Sequence, residues 1–422
     1  YNSNLGVVSE IRSLEFKKGV GQLAYTDVPS QIDAASVRFD LVGSKDGVSI
    51  LEQNYAYDLV SPEQMYAKYI DEEIELIDKE GKLYTGTLLA FSGGAVTLKE
   101  KSGRIKIVRM DNVVETNFPS LPEGLITRPT LFWQYNSDLA GKLNCNVAYQ
   151  TSGMNWSAEY VGVLSADEKN LDLSGWASIN NVSGKTFADA KLKLIAGDIH
   201  RAAPAPKKAL RGGMALAEMG YAGFEEKAFF EYHMYTLPRK ATLKDKEIKQ
   251  ISLFEPATTS VTKGFIYRPE RNATRVEVAL KFVNSAAAGL GMPLPEGRVR
   301  LFQADEDGSL VLLGEDIIDH TPKNEELDLM VGYAFDIIAE ETLLNQRQIS
   351  SRVDERDYRI KLNNRKTEAV SVKVEKRLNG YWEVVKANLE YNKKDANTLV
   401  FNVPIEADQS TVIEYTVRFT RR

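Results

Sequence analysis

The side chains able to do chemistry are few and scattered. Histidine occurs three times, at His200, His233 and His320. No two are close enough in sequence to chelate from one helix or strand, so a zinc site would have to be assembled from distant parts. Each reads as an ordinary loop or strand-edge histidine. Cys145 is the only cysteine, which excludes an intrachain disulfide and a cysteine-rich metal knuckle and predicts burial as a small apolar side chain. The Gly-x-Ser-x-Gly elbow of serine hydrolases does not occur. The phosphate-binding Gly-x-Gly-x-x-Gly pattern fails at Gly289 and Gly291, because Leu294 stands where the third glycine belongs and Pro293 interrupts the expected helix. Asp305, Glu306 and Asp307 precede Gly308 as in a calcium loop, but the later ligands do not follow in register, which leaves a solvated hairpin turn. No catalytic residue, metal or cofactor is predicted. A pair of carboxylates acting across a cleft leaves no short motif, so a carboxylate-based hydrolase stays open as the alternative.

One segment stands apart in composition. Residues 201–235 form an Ala-, Pro-, Gly- and Met-rich loop or linker arm, beginning with the cluster Arg201, Lys207, Lys208 and Arg211 and continuing through Met214, Met219, Tyr221 and Phe224. So few core-forming residues cannot bury a core of their own. These eight residues are therefore the candidate contacts for a protein partner or for a second copy of the chain. The four unopposed basic charges could touch an acidic partner or lipid head groups, or simply line a solvated loop.

The elements that must position such groups are strands. Val276, Val278, Leu280 and Phe282 alternate with Glu277 and Lys281; Tyr358, Ile360 and Leu362 with Arg359 and Lys361; Tyr415, Val417 and Phe419 with Glu414, Thr416 and Arg418. This period of two predicts sheets with one buried face. Trp133, Trp156, Trp176 and Trp382 all sit in strand-like contexts and read as core. The one clear helix is short, with Ser61 as cap, Pro62 in the first turn and an apolar stripe of Met65, Tyr66, Tyr69 and Ile70. From Glu72 to about Thr116 five short strands follow with tight turns near 79–81 and 92–94, the pattern of a small SH3- or Sm-like barrel. Hairpin turns are expected at 305–308 and 379–380.

The predicted fold class is all-β, with two immunoglobulin-like β-sandwiches, a small inserted barrel and very little helix. The first sandwich is expected to be discontinuous, residues 1–60 plus 118–200; the helix and barrel take 61–117, the arm 201–235, and a C-terminal sandwich 236–422.

With 422 residues, 43% of them hydrophobic and 27% charged, the chain has ordinary globular composition and enough length for two to four domains. Its 53 basic against 59 acidic residues give a net charge of −6, which exerts no general pull on nucleic acid or anionic lipid. The barrel segment holds seven basic and eight acidic residues, which argues for a protein-contact barrel and makes nucleic-acid binding the least favoured reading. No apolar run approaches the ~20 residues of a membrane-spanning helix, so no integral span is expected. The chain starts at Tyr1 inside a strand-like segment, which predicts that an amino-terminal piece such as a signal peptide has been removed.

At Leu51-Glu52-Gln53-Asn54-Tyr55, at Tyr57-Asp58-Leu59-Val60-Ser61-Pro62-Glu63, and along the stretch from Leu121 to Leu131, the chain resembles the mucoidy-inhibitor-A-like group, whose core is the domain of unknown function numbered four-one-three-nine. Further resemblance lies at 153–160, at Leu173-Ser174-Gly175-Trp176, at 194–198, at 358–362 and at 415–419, so it covers nearly the whole chain. It implies an exported bacterial protein of the periplasm, cell surface or extracellular space, and supplies no catalytic residues. The expected function is that of a non-catalytic structural or interaction protein, self-assembling through sheet edges and the 201–235 arm. The alternative is a hydrolase of cell-envelope polysaccharide or peptide.

Overall fold

The computed structural model describes residues 1–43, 46–58, 60–120, 122, 125–197 and 232–421, with the backbone alone at 225–229. It is 65% strand and 3% helix, so the all-β class expected from the alternation holds.

Two three-stranded antiparallel sheets open the chain. In one, Gly141–Thr151 lies between Gly6–Phe16 and Ile32–Leu41; in the other, Thr130–Ser137 lies between Gly19–Thr26 and Val48–Ala56. Their inward side chains meet as a sandwich core in which Trp133 stacks on Tyr25 at 5.0 Å between ring centres, beside Leu131, Val147 and Tyr149. Cys145 packs in the adjoining cluster with Phe16 and Tyr135. Burial pushes its thiol up to about 11, so it holds no reactive thiolate at neutral pH.

Helix Pro62–Lys68 begins where the Ser61 hydroxyl accepts from the Gln64 N–H, one of the orphan donors of a helix start. It lays Tyr66 and Tyr69 onto a five-stranded sheet in the order Ile105–Arg109, Ala95–Lys99, Leu83–Ser92, Glu73–Asp78, Val113–Asn117. The turn at 79–81 closes because the Asp78 carboxylate accepts from the backbone N–H groups of Glu80 at 3.0 Å and Lys82 at 2.9 Å. Gly81 there takes φ +79°, a left-handed value that suits glycine.

After Thr151 the pairing departs from the expected boundaries. Met154–Leu164 and Asn170–Asn181 belong not to the first sandwich but to a larger sheet, ordered Glu247–Ser252, Asn170–Asn181, Met154–Leu164, Gly297–Ala304, Leu310–Ile318. Met154–Leu164 pairs in parallel with Gly297–Ala304, more than a hundred residues away. The expected division at 201–235 falls inside this middle unit, since Lys193–Ala196 pairs with Tyr232–Thr236 across it. Alternation tells which face of a strand is buried and nothing about its neighbour, so these long-range partners were not legible.

Nine further strands form one sheet: Tyr381–Ala387, Ser410–Thr420, Val353–Asn364, Glu326–Ser350, Arg275–Val283, Thr262–Tyr267, Val370–Arg377, Thr398–Ile405, Asn392–Asp395. Residues from both of its ends, Ile413 and Val417 with Val372 and Phe401, share one buried cluster, so the sheet curls back on itself into a sandwich. The turn at 379–380 is left-handed at Gly380, φ +85°, yet it joins strands that pair with other partners. It is a corner between layers rather than the expected hairpin, whereas 305–308 does close the expected one.

Strand Glu326–Ser350 is 25 residues long, and at about 3.3 Å per residue it spans roughly 80 Å. Its first part contributes Leu327 and Leu329 to the middle core, its centre Ile337 and Ala339 to the C-terminal core. One continuous strand therefore ties the two cores together. Among the described residues no helix is long and apolar enough to cross a membrane.

Candidate functional site

The expected partner contacts Arg201, Lys207, Lys208, Arg211, Met214, Met219, Tyr221 and Phe224 lie outside the described residues, as does His200. His233 stands in a strand opposite Ala196 and Ala228. His320 Nδ1 accepts the backbone N–H of Glu296 at 3.0 Å. Among the described residues no three His, Cys, Asp or Glu side chains converge as metal ligands. Trp133, Trp156 and Trp382 are buried, but Trp176 is 39% exposed, a correction to the expected core position.

The five-stranded sheet under the helix spends several of its cations locally: Lys106 on Glu100 at 2.6 Å, Lys101 on Glu73 at 3.2 Å, Arg109 on Asp111 at 3.3 Å. Lys82 and Lys106 both stand over the Tyr84 ring. These pairings weaken any outward field toward a phosphate backbone.

Two other features gather polar or apolar groups that local packing does not account for. The first is a cavity of about 590 Å³ at one end of the C-terminal sandwich. Every second residue of Val353–Asn364 points inward, and along that face the types run from Leu362 and Ile360 through Tyr358 to Arg356 and Asp354. Ser410–Thr420 repeats the gradient from Ile413 to Phe419 and on to Arg421, and Val370–Arg377 repeats it from Val372 and Val374 to Lys376. Two strands thus turn from aliphatic through aromatic to charged, and a third from aliphatic directly to charged, at the same end, which leaves the sandwich open there rather than sealed. Arg356 pairs with Asp354 at 3.0 Å and lies 4.6 Å from the Phe419 ring centre. Lys376 is held by Glu341 at 2.6 Å and Glu270 at 2.9 Å, above the Tyr358 ring. Burial would lower the Lys376 ammonium, but its two carboxylates raise it above the ordinary lysine value, so it is a fixed cation at neutral pH.

This wall carries a single carboxylate, Asp354, already bound to Arg356 and 3.8 Å from Arg421. Glycoside hydrolysis needs two carboxyl groups across a cleft, and this cavity supplies one. Its signal was present in the alternation: extending the face of Tyr358, Ile360 and Leu362 backward by two steps places Arg356 and Asp354 on the core side, where charged residues are rare unless paired.

The second feature is the far end of Glu326–Ser350. Its ladder with Arg275–Val283 ends at Ile338, and residues 342–350 are exposed along their whole length and, among the described residues, paired on one side only, with Val353–Asn364. Leu344 and Ile349 fall in the two bulges of that hairpin, without a cross-strand partner, and stand 44% and 55% exposed beside exposed Leu343. The one charge in this stretch, Arg347, is turned onto Asp357 at 2.6 Å and Glu355 at 3.0 Å.

A third cluster is structural. Lys185 donates to Glu10 at 2.7 Å and lies 3.9 Å from Asp27, Arg12 donates to Glu10 at 2.7 Å and covers the Tyr25 ring, and Tyr149 donates to the same Glu10 carboxylate. It pins the first sandwich to the middle unit.

Comparison with protein-family models finds none that matches this chain, and comparison with curated proteins finds no match either.

Proposed function

We propose that this chain is a non-catalytic, exported envelope or extracellular interaction protein that associates with copies of itself by adding strands to the free edge at 342–350. The observation that carries the reading is that edge. Natural sheets blunt such edges with lysine, proline, bulges or a covering element, and of these the stretch carries two bulges, at Leu344 and Ile349. Residues 342–350 hold no proline and no lysine, and their arginine is engaged on the sheet face. Nine residues of open backbone, roughly 30 Å long, offer a row of hydrogen-bonding groups flanked by Leu343, Leu344 and Ile349. Strand addition draws its affinity from such backbone groups and its specificity from the neighbouring side chains. Export is supported by the sequence resemblance described above.

Sedimentation velocity over the micromolar range tests this. Self-association is expected, and Leu344→Lys with Ile349→Lys, both at exposed bulge positions, is expected to weaken it at least about tenfold, ~1.4 kcal/mol. A wild-type chain that stays monomeric at every concentration, or a double variant that associates as well as wild type, refutes the proposal.

A further inference from the structure

We infer that the open mouth of the C-terminal sandwich is a binding site for a singly charged, polyhydroxylated carboxylate, the chemistry of an acidic sugar residue. This inference is independent of the edge described above. Among the described residues four cations border the cavity, Arg356, Lys376, Arg377 and Arg421, and three carboxylates answer them, Asp354, Glu270 and Glu341. The balance is one positive charge. Arg377 is the cation with no ion pair among the described residues, and Arg421 reaches Asp354 only at 3.8 Å with its side chain 72% exposed. A guanidinium receives a carboxylate through two parallel N–H donors, a fit that a lysine cannot copy.

The remaining wall suits a sugar body. Phe419 and Tyr381 line it, and aromatic rings attract the C–H bonds on one side of a pyranose. Asn379 and the tyrosine hydroxyl at 358 supply donors and acceptors for ring hydroxyls. The left-handed Gly380 corner brings backbone polar groups to the same rim. The volume of about 590 Å³ falls within the ~300–1,000 Å³ of small-ligand sites. Charge decides between ligand classes. A nucleotide or phosphate ester brings two or more negative charges against one unmatched positive. A zwitterionic amino acid needs a free carboxylate for its ammonium, and Asp354 is already committed to two arginines.

Isothermal titration calorimetry with a short oligogalacturonate, its neutral galactose counterpart and ATP tests the assignment. The oligogalacturonate is expected to bind saturably, to lose affinity as salt rises, and to bind at least about tenfold more weakly to Arg377→Ala and to Arg421→Ala. Both side chains are exposed, so thermal melts of the variants should match wild type. Lys376→Met is avoided as a probe because it strands Glu341 and Glu270. No heat with the oligogalacturonate, equal binding of the neutral oligomer, preference for ATP, or indifference to both substitutions each overturns the inference.

Discussion

Lys185→Met is expected to destabilise the junction between the first sandwich and the middle unit by about 3 kcal/mol, the lower end of what breaking a buried ion pair costs. Methionine keeps the length and apolar packing of the lysine stem and removes only its charge. The ammonium is a charged contact that crosses from one unit to the other: its side chain is 7% exposed, and it meets Glu10 of Gly6–Phe16 from just beyond Asn170–Asn181. The cost falls short of the full range because Glu10 keeps Arg12 and Tyr149. Chemical denaturation measures the loss, and the partner substitution Glu10→Gln should give a similar one. The double variant should be less destabilised than the sum of the two by more than about 1 kcal/mol, since the second change removes an already stranded charge. Strict additivity would show that the two side chains act separately.

Limited proteolysis reports the same event locally. Beside the charged cluster the units touch through backbone-directed bonds: Gln31 Nε2 to the Val182 carbonyl at 2.7 Å, Ser152 N–H to the Gln31 carbonyl at 3.0 Å, and Gly153 N–H to Asn4 at 2.8 Å. With Lys185 gone, the connection at 152–153 should be cleaved faster than in wild type. Acid should act in the same direction. Burial raises the Glu10 carboxyl, but hydrogen bonds from Lys185 and Tyr149 and the charge of Arg12 bring it below the usual glutamate value. Its contribution is therefore complete above the ordinary pKa and fades as pH falls through the depressed one.

Arg268→Met is expected to cost the C-terminal sandwich about 3–5 kcal/mol. Glu277 and Glu375 are 3% and 6% exposed on the outer side of the curled sheet, and Arg268 bridges them, donating to Glu375 at 2.8 Å and to Glu277. Without it Glu277 retains, among the described residues, only the distant Arg271 at 3.9 Å. Glu375 is better provided, with Lys373 at 2.9 Å and Lys394 at 3.1 Å. Burial works to raise its carboxyl, yet hydrogen bonds from Lys373, Lys394 and Arg268 hold it at about 2 against an ordinary 4.5.

That depression fixes a pH window. The carboxylate stabilises the fold fully above 4.5 and loses its contribution as pH falls from there to about 2. Glu375→Gln should therefore cost on the order of 2 kcal/mol at pH 7 after solvent screening, and nothing near pH 2. Denaturation curves for wild type and variant at both pH values decide this; an equal difference at the two would mean that shape, not charge, sets the effect.

The sequence by itself determined that this is an all-β chain, that Ser61 and Pro62 start its one clear helix, that five short strands follow it, and that Cys145 is an inert core residue. Those are local matters: a period of two, a capping hydroxyl and a lone apolar thiol act within a few residues of themselves. Even Arg356 and Asp354 on an inward face were written in the alternation, although the wall they share with Lys376 and Arg421 was not. Only the tertiary structure decided that Met154–Leu164 lies beside Gly297–Ala304, that one 25-residue strand enters two cores, and that the ladder beside residues 342–350 stops short. Strand pairing is a choice among distant partners with nearly equal backbone energies, settled by the packing of whole layers, and no single segment carries that information.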